Sequence, residues 1–356
     1  MLARGTFADR DRPDLTGLAA IDDPEEFVWA ILPHAARSFA ASIVMLPADT
    51  ALPAAVAYLY CRMLDTYEDL QEDPEAKQAA LNEFADRFEG DDLGVAPQLT
   101  DPQPVDERDK VHLLLVERCS LVDEVFATFP QSDRENIAEL VGAMGHGMAE
   151  AAAAFERQGG VLETREQLLD YCHTVIGEPA LYSMRLLTDQ PLTEGRRHDA
   201  LEVSEMIQLA NITRDIEKDL RRGVAYHPSL RPYLHREVST DAATTEQVRL
   251  VRQELLVLAL RRAPAYRRLV DDLQTSRISA TRASALLMLL FTDRHYRSCA
   301  VATGHHPWEG PVSTSTIIAQ ASLAGLSRWW AAHLTRSIER NFLDAARRIE
   351  AGERST

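Results

Sequence analysis

Val56-Ala57-Tyr58-Leu59-Tyr60-Cys61-Arg62-Met63-Leu64-Asp65-Thr66-Tyr67-Glu68-Asp69 carries two patterns at once. Val56, Leu59, Tyr60 and Met63 recur at i, i+3, i+4 and i+7, the spacing of an apolar helix face. Asp65 and Asp69 are four apart and share another face, with Glu68 beside them. Like charges at that spacing cost a helix roughly a few tenths of a kcal/mol, a cost that a bound cation removes.

The helical period continues outward. Ile137, Leu140, Val141 and Met144 repeat it, and Leu201, Met206, Leu209, Ile212 and Ile216 follow it less strictly. Period-two alternation of Val, Ile and Thr is almost absent, so the fold class expected is all-α. Pro-, Gly- and acid-rich stretches at 90–108, 223–245 and 304–313 read as surface loops. None resembles an interdomain linker. The expectation is an extension over 1–24, poor in order, a single all-α domain over 25–347, and a tail over 348–356. Ala54, Ala55, Ala57, Gly142, Ala143, Gly145 and Gly147 allow close helix packing, or alternatively leave volume for an apolar ligand between helices.

A second acidic column lies in Gln208-Leu209-Ala210-Asn211-Ile212-Thr213-Arg214-Asp215-Ile216-Glu217-Lys218-Asp219. Asn211, Asp215 and Asp219 are spaced i, i+4, i+8, so one face presents an amide oxygen and two carboxylates. All-oxygen ligands select hard cations, and Mg²⁺ commonly combines one or two carboxylates with waters and substrate phosphates. In a chain with 55 acidic residues a single D-x-x-x-D means little. Two columns, each with an Arg (Arg62, Arg214) and each on an otherwise apolar helix, point to a site.

Composition narrows the rest. The net charge is −17, which argues against a nucleic-acid partner. Cys61, Cys119, Cys172 and Cys299 form no C-x-x-C and suit a reducing compartment. The opening MLARGTFADRDRPDLTG has no apolar signal-peptide core, so a cytoplasmic location is expected. Gly142-x-x-Gly145-x-Gly147 follows no strand and is not a dinucleotide fingerprint. His146 reads as core or cavity lining. Ile317–Ile349 is helical in pattern. Its Leu323, Leu326, Trp329, Trp330 and Leu334 are expected to pack into the core, with peripheral contact to a membrane as the alternative.

Five co-linear segments resemble the squalene/phytoene synthase family, which joins isoprenyl diphosphates head to head. They are Arg37-Ser38-Phe39 with Leu46-Pro47; Tyr58-x-x-x-Arg62-x-x-Asp65-x-x-x-Asp69; Tyr171-Cys172-His173-x-Val175-x-Gly177; Gln208-x-x-Asn211-Ile212-x-Arg214-Asp215-x-x-x-Asp219; and Arg222-Gly223-x-x-Tyr226-x-Pro228. Leu64-Asp65-Thr66-Tyr67-Glu68-Asp69 is closer to squalene synthases than to phytoene synthases. Three positions depart from the family pattern: Lys218, Glu178-Pro179 and Ala210.

The resemblance implies an isoprenoid-synthase helical bundle around a central cavity. It implies that Asp65, Asp69, Asn211, Asp215 and Asp219 bind Mg²⁺, with Asp65 and Asp215 catalytic through the metal. Arg37, Ser38, Phe39, Arg62, Gln208, Arg214 and Tyr226 are the implied substrate contacts. Each Arg has an alternative as a structural ion pair. Tyr58 and Tyr171 are candidates to orient diphosphate and move a proton, or else core aromatics. His173 reads as a packing or hydrogen-bonding residue. Lys218 either lies beside the metal face or pairs with Glu217 or another surface acid.

The implied reaction couples two farnesyl diphosphates to presqualene diphosphate, and onward to squalene if reduction follows. NADPH stays open, because squalene synthases bind it without a Gly-rich motif. The alternatives are condensation of C20 donors, transfer or cyclisation of a single prenyl group, and a non-catalytic helical binding protein that kept the fold. Oligomeric state is left open.

Overall fold

The structure is a computed structural model that describes residues 13–352 apart from 37, 91–92, 103, 189–190, 237–241, 274–277, 306–307 and 309–311. The described residues are helical and form no strand; one isolated bridge pairs Val161 with Ala225. The chain divides into two compact units, Met1–Ala153 with Arg185–Asp189, and Ala154–Met184 with Gln190–Thr356.

In chain order the helices are α1 (Leu15–Ala19), α2 (Pro24–Ala36), α3 (Ser38–Val44), α4 (Ala48–Leu70), α5 (Pro74–Asp86), α6 (Glu107–Glu117), α7 (Cys119–Ala127) and α8 (Gln131–Arg157). There follow α9 (Arg165–Cys172), a π turn (His173–Gly177), α10 (Glu178–Leu187), α11 (Glu194–Arg221), α12 (Ala242–Leu260), α13 (Ala263–Asp272), α14 (Ala280–Ala302), α15 (Thr314–Leu326) and α16 (Arg328–Glu350).

In the first unit, α4 packs against α2, α5, α6 and α7. The face predicted to be apolar is buried: Val56, Leu59, Tyr60, Met63, Leu64 and Tyr67 are fully enclosed. Burial of such side chains stabilises by about 1.5–3 kcal/mol each, which is what holds the polar face of α4 in place. Gly145 settles one small-residue position in favour of close packing. A Cβ there would lie 2.8 Å from Ala85 Cβ and 3.2 Å from Leu64 Cδ2. The segment expected as a poorly ordered extension contains α1, whose Leu18 is buried. Arg118 holds the exit of α1 by donating to the Ala19 and Ile21 carbonyls.

In the second unit, α11 packs on α12, α13, α14 and the π turn. Glu178 N–H donates to His173 O, the i−5 bond of that turn. The wider turn lets Pro179, which has no N–H, fall at the second position of α10. Glu178-Pro179 is therefore accommodated at a helix junction. The four cysteines are buried free thiols.

The C-terminal expectation needs correction. The helical stretch breaks at Ser327, which caps α16 by accepting from Trp330 N–H. Leu323, Leu326 and Trp329 are exposed, not core. Helix α16 buries Ala331, Thr335, Ile338, Phe342 and Ala345 instead.

Candidate functional site

On α4 the buried stripe leaves Tyr58, Arg62, Asp65 and Asp69 along the opposite face. Arg62 donates to the Tyr58 hydroxyl at 2.8 Å and lies 3.0 Å from Asp65. Phe39 packs on the Tyr58 ring, with centroids 5.5 Å apart. Burial pushes the Asp65 carboxyl up to about 6; Arg62 opposes the rise, Asp69 adds to it and Arg108 opposes it. Asp69 is exposed. Arg108, in the first turn of α6, escaped sequence reading because it follows a Pro-rich loop and belongs to no motif. Arg37 lies outside the described residues, as does the side chain of Ser38.

On α11 the column is Asn211, Asp215 and Asp219. Arg214 chelates Asp215 through two bonds, Nε to Oδ1 at 2.9 Å and Nη2 to Oδ2 at 2.7 Å. The ion-pair reading of Arg214 is thus the arrangement present, and the pair is exposed enough for the guanidinium to turn to another anion. Asn211 donates its amide to the buried Gln208 at 3.1 Å, which leaves its Oδ1 available as an acceptor.

Two neighbours of this helix were missed. Arg252 donates to the Thr213 carbonyl at 2.8 Å and to Glu217 at 2.5 Å. Glu217 therefore pairs with Arg252, not Lys218, and Lys218 is exposed. His295 comes within 3.4 Å of Thr213 Oγ1. Burial holds His295 down at about 4, with Arg214 lowering it further, Asp215 opposing and Arg252 lowering. Each comes from a distant helix, with no local signal.

Tyr171 and Tyr226 pack together at a tilt of 35° with centroids 5.3 Å apart, and Phe155 meets both edge-on. Tyr226 OH donates to Tyr171 OH at 3.5 Å. Backbone pairing places Tyr226: Leu162 N–H donates to Ala225 O and Ala225 N–H to Gly160 O. The approach requires glycines. Gly160 has φ +84°, and a Cβ there would fall 2.1 Å from Gly223 O. His173 accepts its predicted structural role, bonded at 2.9 Å to the buried Glu205, which Arg262 also engages.

The donor atoms of the two columns are carboxylate and amide oxygens, the set a hard divalent cation takes. Asp65 adds an observation of its own. A half-buried carboxylate whose ionisation is resisted gains from a cation, so the residues fit Mg²⁺. A separate group, Asp86, Glu89 and His146, brings three ligand-type atoms within 4.8 Å on α5, the turn after it and α8. His146 is half-exposed and bonded to Asp86 at 2.7 Å, not core. That group belongs to neither column.

The squalene/phytoene synthase family model matches residues 32–305. The chain belongs to that family. It is 30% identical over 205 residues to a probable squalene synthase of Neurospora crassa, covering 55% of this chain and 40% of that protein. It is 28% identical over 222 residues to a squalene synthase of Botryococcus braunii, covering 61% and 44%. A 4,4′-diapophytoene synthase of Staphylococcus haemolyticus is 24% identical over 214 residues, covering 60% and 65%. The matched segment thus spans less than half the length of the first two relatives. The chain shares the fold of TcSQS solved with the ligand E5700, at TM-score 0.67 and 17% identity, over 92% of this chain and 100% of that one.

Proposed function

We propose that the protein is a Mg²⁺-dependent prenyltransferase that condenses two farnesyl diphosphates head to head to presqualene diphosphate. The observation that carries this reading is the pair of Arg-attended oxygen columns, Asp65 and Asp69 on α4 and Asn211, Asp215 and Asp219 on α11. Asp65 and Asp69 would hold metal on the first column, and Asn211, Asp215 and Asp219 on the second. Bound Mg²⁺ neutralises the diphosphate and makes it a competent leaving group. Arg62 and Arg108 supply cations for diphosphate oxygens on the first column, and Arg214 does so on the second by exchanging Asp215 for substrate. Gln208 fixes Asn211 and offers a buried polar anchor. The allylic cation left behind would need an apolar surrounding that keeps water away. Tyr171, with its hydroxyl next to that of Tyr226, takes the proton lost on ring closure. Tyr58 is held by Arg62 to orient diphosphate. Arg37, Ser38 and Phe39 complete the substrate contacts.

Onward reduction to squalene requires a hydride donor, NADPH, supplied with the substrate. A second reading, condensation of the diapophytoene or phytoene type, is favoured by the likeness to the 4,4′-diapophytoene synthase. Incubation with C10, C15 and C20 diphosphates and Mg²⁺, with and without NADPH, followed by mass analysis of the extract, tests both. Presqualene diphosphate from the C15 substrate is expected. A C40 hydrocarbon from C20 alone, or a C30 hydrocarbon of the diapophytoene type from C15 without NADPH, would move the assignment to the second reading. No coupled product from any of the three would overturn both.

A further inference from the structure

Of the nine large apolar side chains that are exposed among the described residues, four meet at one elbow. Leu323 and Leu326 are 50% and 59% exposed in the last turn of α15, and Trp329 is 72% exposed in the first turn of α16. Ile278, 66% exposed, joins them because the next residue's amide, Ser279 N–H, donates to Gly325 O at 2.9 Å. The elbow is rigidly built. Buried Arg282 donates to the Ala324 and Gly325 carbonyls, both at 2.7 Å, and a Cβ on Gly325 would lie 2.8 Å from Ala283 Cβ. Such a cluster on a fixed scaffold is a contact surface.

Charge decides the partner. The chain carries −17, yet residues 310–338 contain no Asp or Glu. Arg328, beside Trp329, is exposed. Trp329, His333, Arg336 and Arg340 follow one another at i, i+4, i+7 and i+11 and border one surface groove. His333 stacks on Trp329 at 5.6 Å between centroids. Arg336 and Arg340 form no ion pair with a described carboxylate, and the nearby Glu339 is engaged by Arg267 at 2.8 Å. An apolar tip of Leu, Ile and Trp thus runs into a cationic flank on the same helix face. Trp prefers the headgroup level of a bilayer, and cations near an anionic surface gain about fivefold in binding each.

We propose that the α15–α16 elbow docks the protein peripherally on a bilayer containing anionic phospholipid, with Ile278, Leu323, Leu326 and Trp329 inserted and Arg328, Arg336 and Arg340 at the headgroups. The inference stands apart from the proposed reaction and does not depend on it. The test is flotation of the full chain with vesicles of phosphatidylcholine alone, and of phosphatidylcholine with 30 mol% phosphatidylglycerol (roughly the charge density at which polybasic segments bind). Wild type should float at least about tenfold better with the anionic vesicles, and lose that gain in high salt. Leu323→Ser/Leu326→Ser/Trp329→Ser should lose about tenfold or more, with an unchanged circular-dichroism melt. Arg336→Glu/Arg340→Glu, which leaves the elbow intact, should lose the preference for anionic lipid. Quenching of wild-type Trp fluorescence by brominated lipid supports insertion without any variant. Failure of wild type to float, or equal flotation of wild type and both variants, overturns the proposal. So does a dimer in light scattering that the triple variant dissolves while vesicle binding is nil; a second copy would then be the occupant.

Discussion

The Arg62 guanidinium donates to the Tyr58 hydroxyl one turn before it and at the same time meets Asp65 in the turn after it. One cation therefore orders a phenol and a carboxylate on the half-buried face of a helix whose other face is fully buried. Replacing Arg62 by Gln should raise KM for the diphosphate substrate about tenfold or more, since a charge-assisted contact is lost. Arg62→Lys should restore only part of it, because an ammonium cannot bridge both partners. Steady-state kinetics for the two variants decide this.

Asp65→Asn and Asp215→Asn should each reduce turnover by orders of magnitude, because the ligands act as a unit. EDTA should abolish activity and added Mg²⁺ restore it. Asp65→Asn should not lower the melting temperature near neutral pH in metal-free buffer. The native carboxyl, held at about 6 against an ordinary 3.8, is protonated more readily than in the unfolded chain. Its contribution to stability is therefore full below about 4 and falls as pH rises through 6. Calorimetry of the variant against wild type at pH 4.5 and 7.5 shows whether that cost disappears.

Tyr171→Phe should leave substrate binding intact and lower kcat by about a hundredfold or more, the size of a lost proton-transfer group. Tyr226→Phe removes only the neighbouring donor and keeps the ring contact, so its effect should be smaller. A Tyr171→Phe enzyme with normal kcat and a reduced melting temperature would leave Tyr171 as a core aromatic.

His295 gives a pH dependence of the opposite sign. Its native pKa of about 4 lies below the ordinary 6.5, so the unfolded chain binds the extra proton between those values. The stability it contributes is present above about 6.5 and is lost as pH falls through 4. His295→Gln should lose less stability than wild type between pH 6.5 and 4, read from denaturant unfolding across that range.

Lys218→Met should leave kcat and the Mg²⁺ requirement unchanged. The residue is exposed, and Arg252 already serves Glu217. A raised Mg²⁺ requirement, measured by titration, would return Lys218 to the diphosphate.

The α4 and α11 patterns were legible because helix periodicity and i, i+4 spacing are local properties. The same logic located the buried stripe of Val56, Leu59, Tyr60 and Met63 and both acid columns, and the motifs carried the family. What supports the site was not legible. Arg108 comes from α6, Arg252 from α12 and His295 from α14, each far along the chain from the residue it touches. The packing of Tyr226 against Tyr171 depends on two glycines, Gly160 and Gly223, whose close approach no sequence spacing announces.

The sequence by itself determined the all-α class, which follows from helical period, and the family, which its five motif segments carry. Tertiary structure alone decided which charges are spoken for. Arg214 chelates Asp215, Glu217 takes Arg252, and Asp65 is pushed up by burial, because desolvation and pairing depend on neighbours brought in by packing. It also decided that Leu323, Leu326 and Trp329 face outward. Periodicity marks a face as apolar, but only the packing of α15 on α14 and the break at Ser327 determine whether anything covers it.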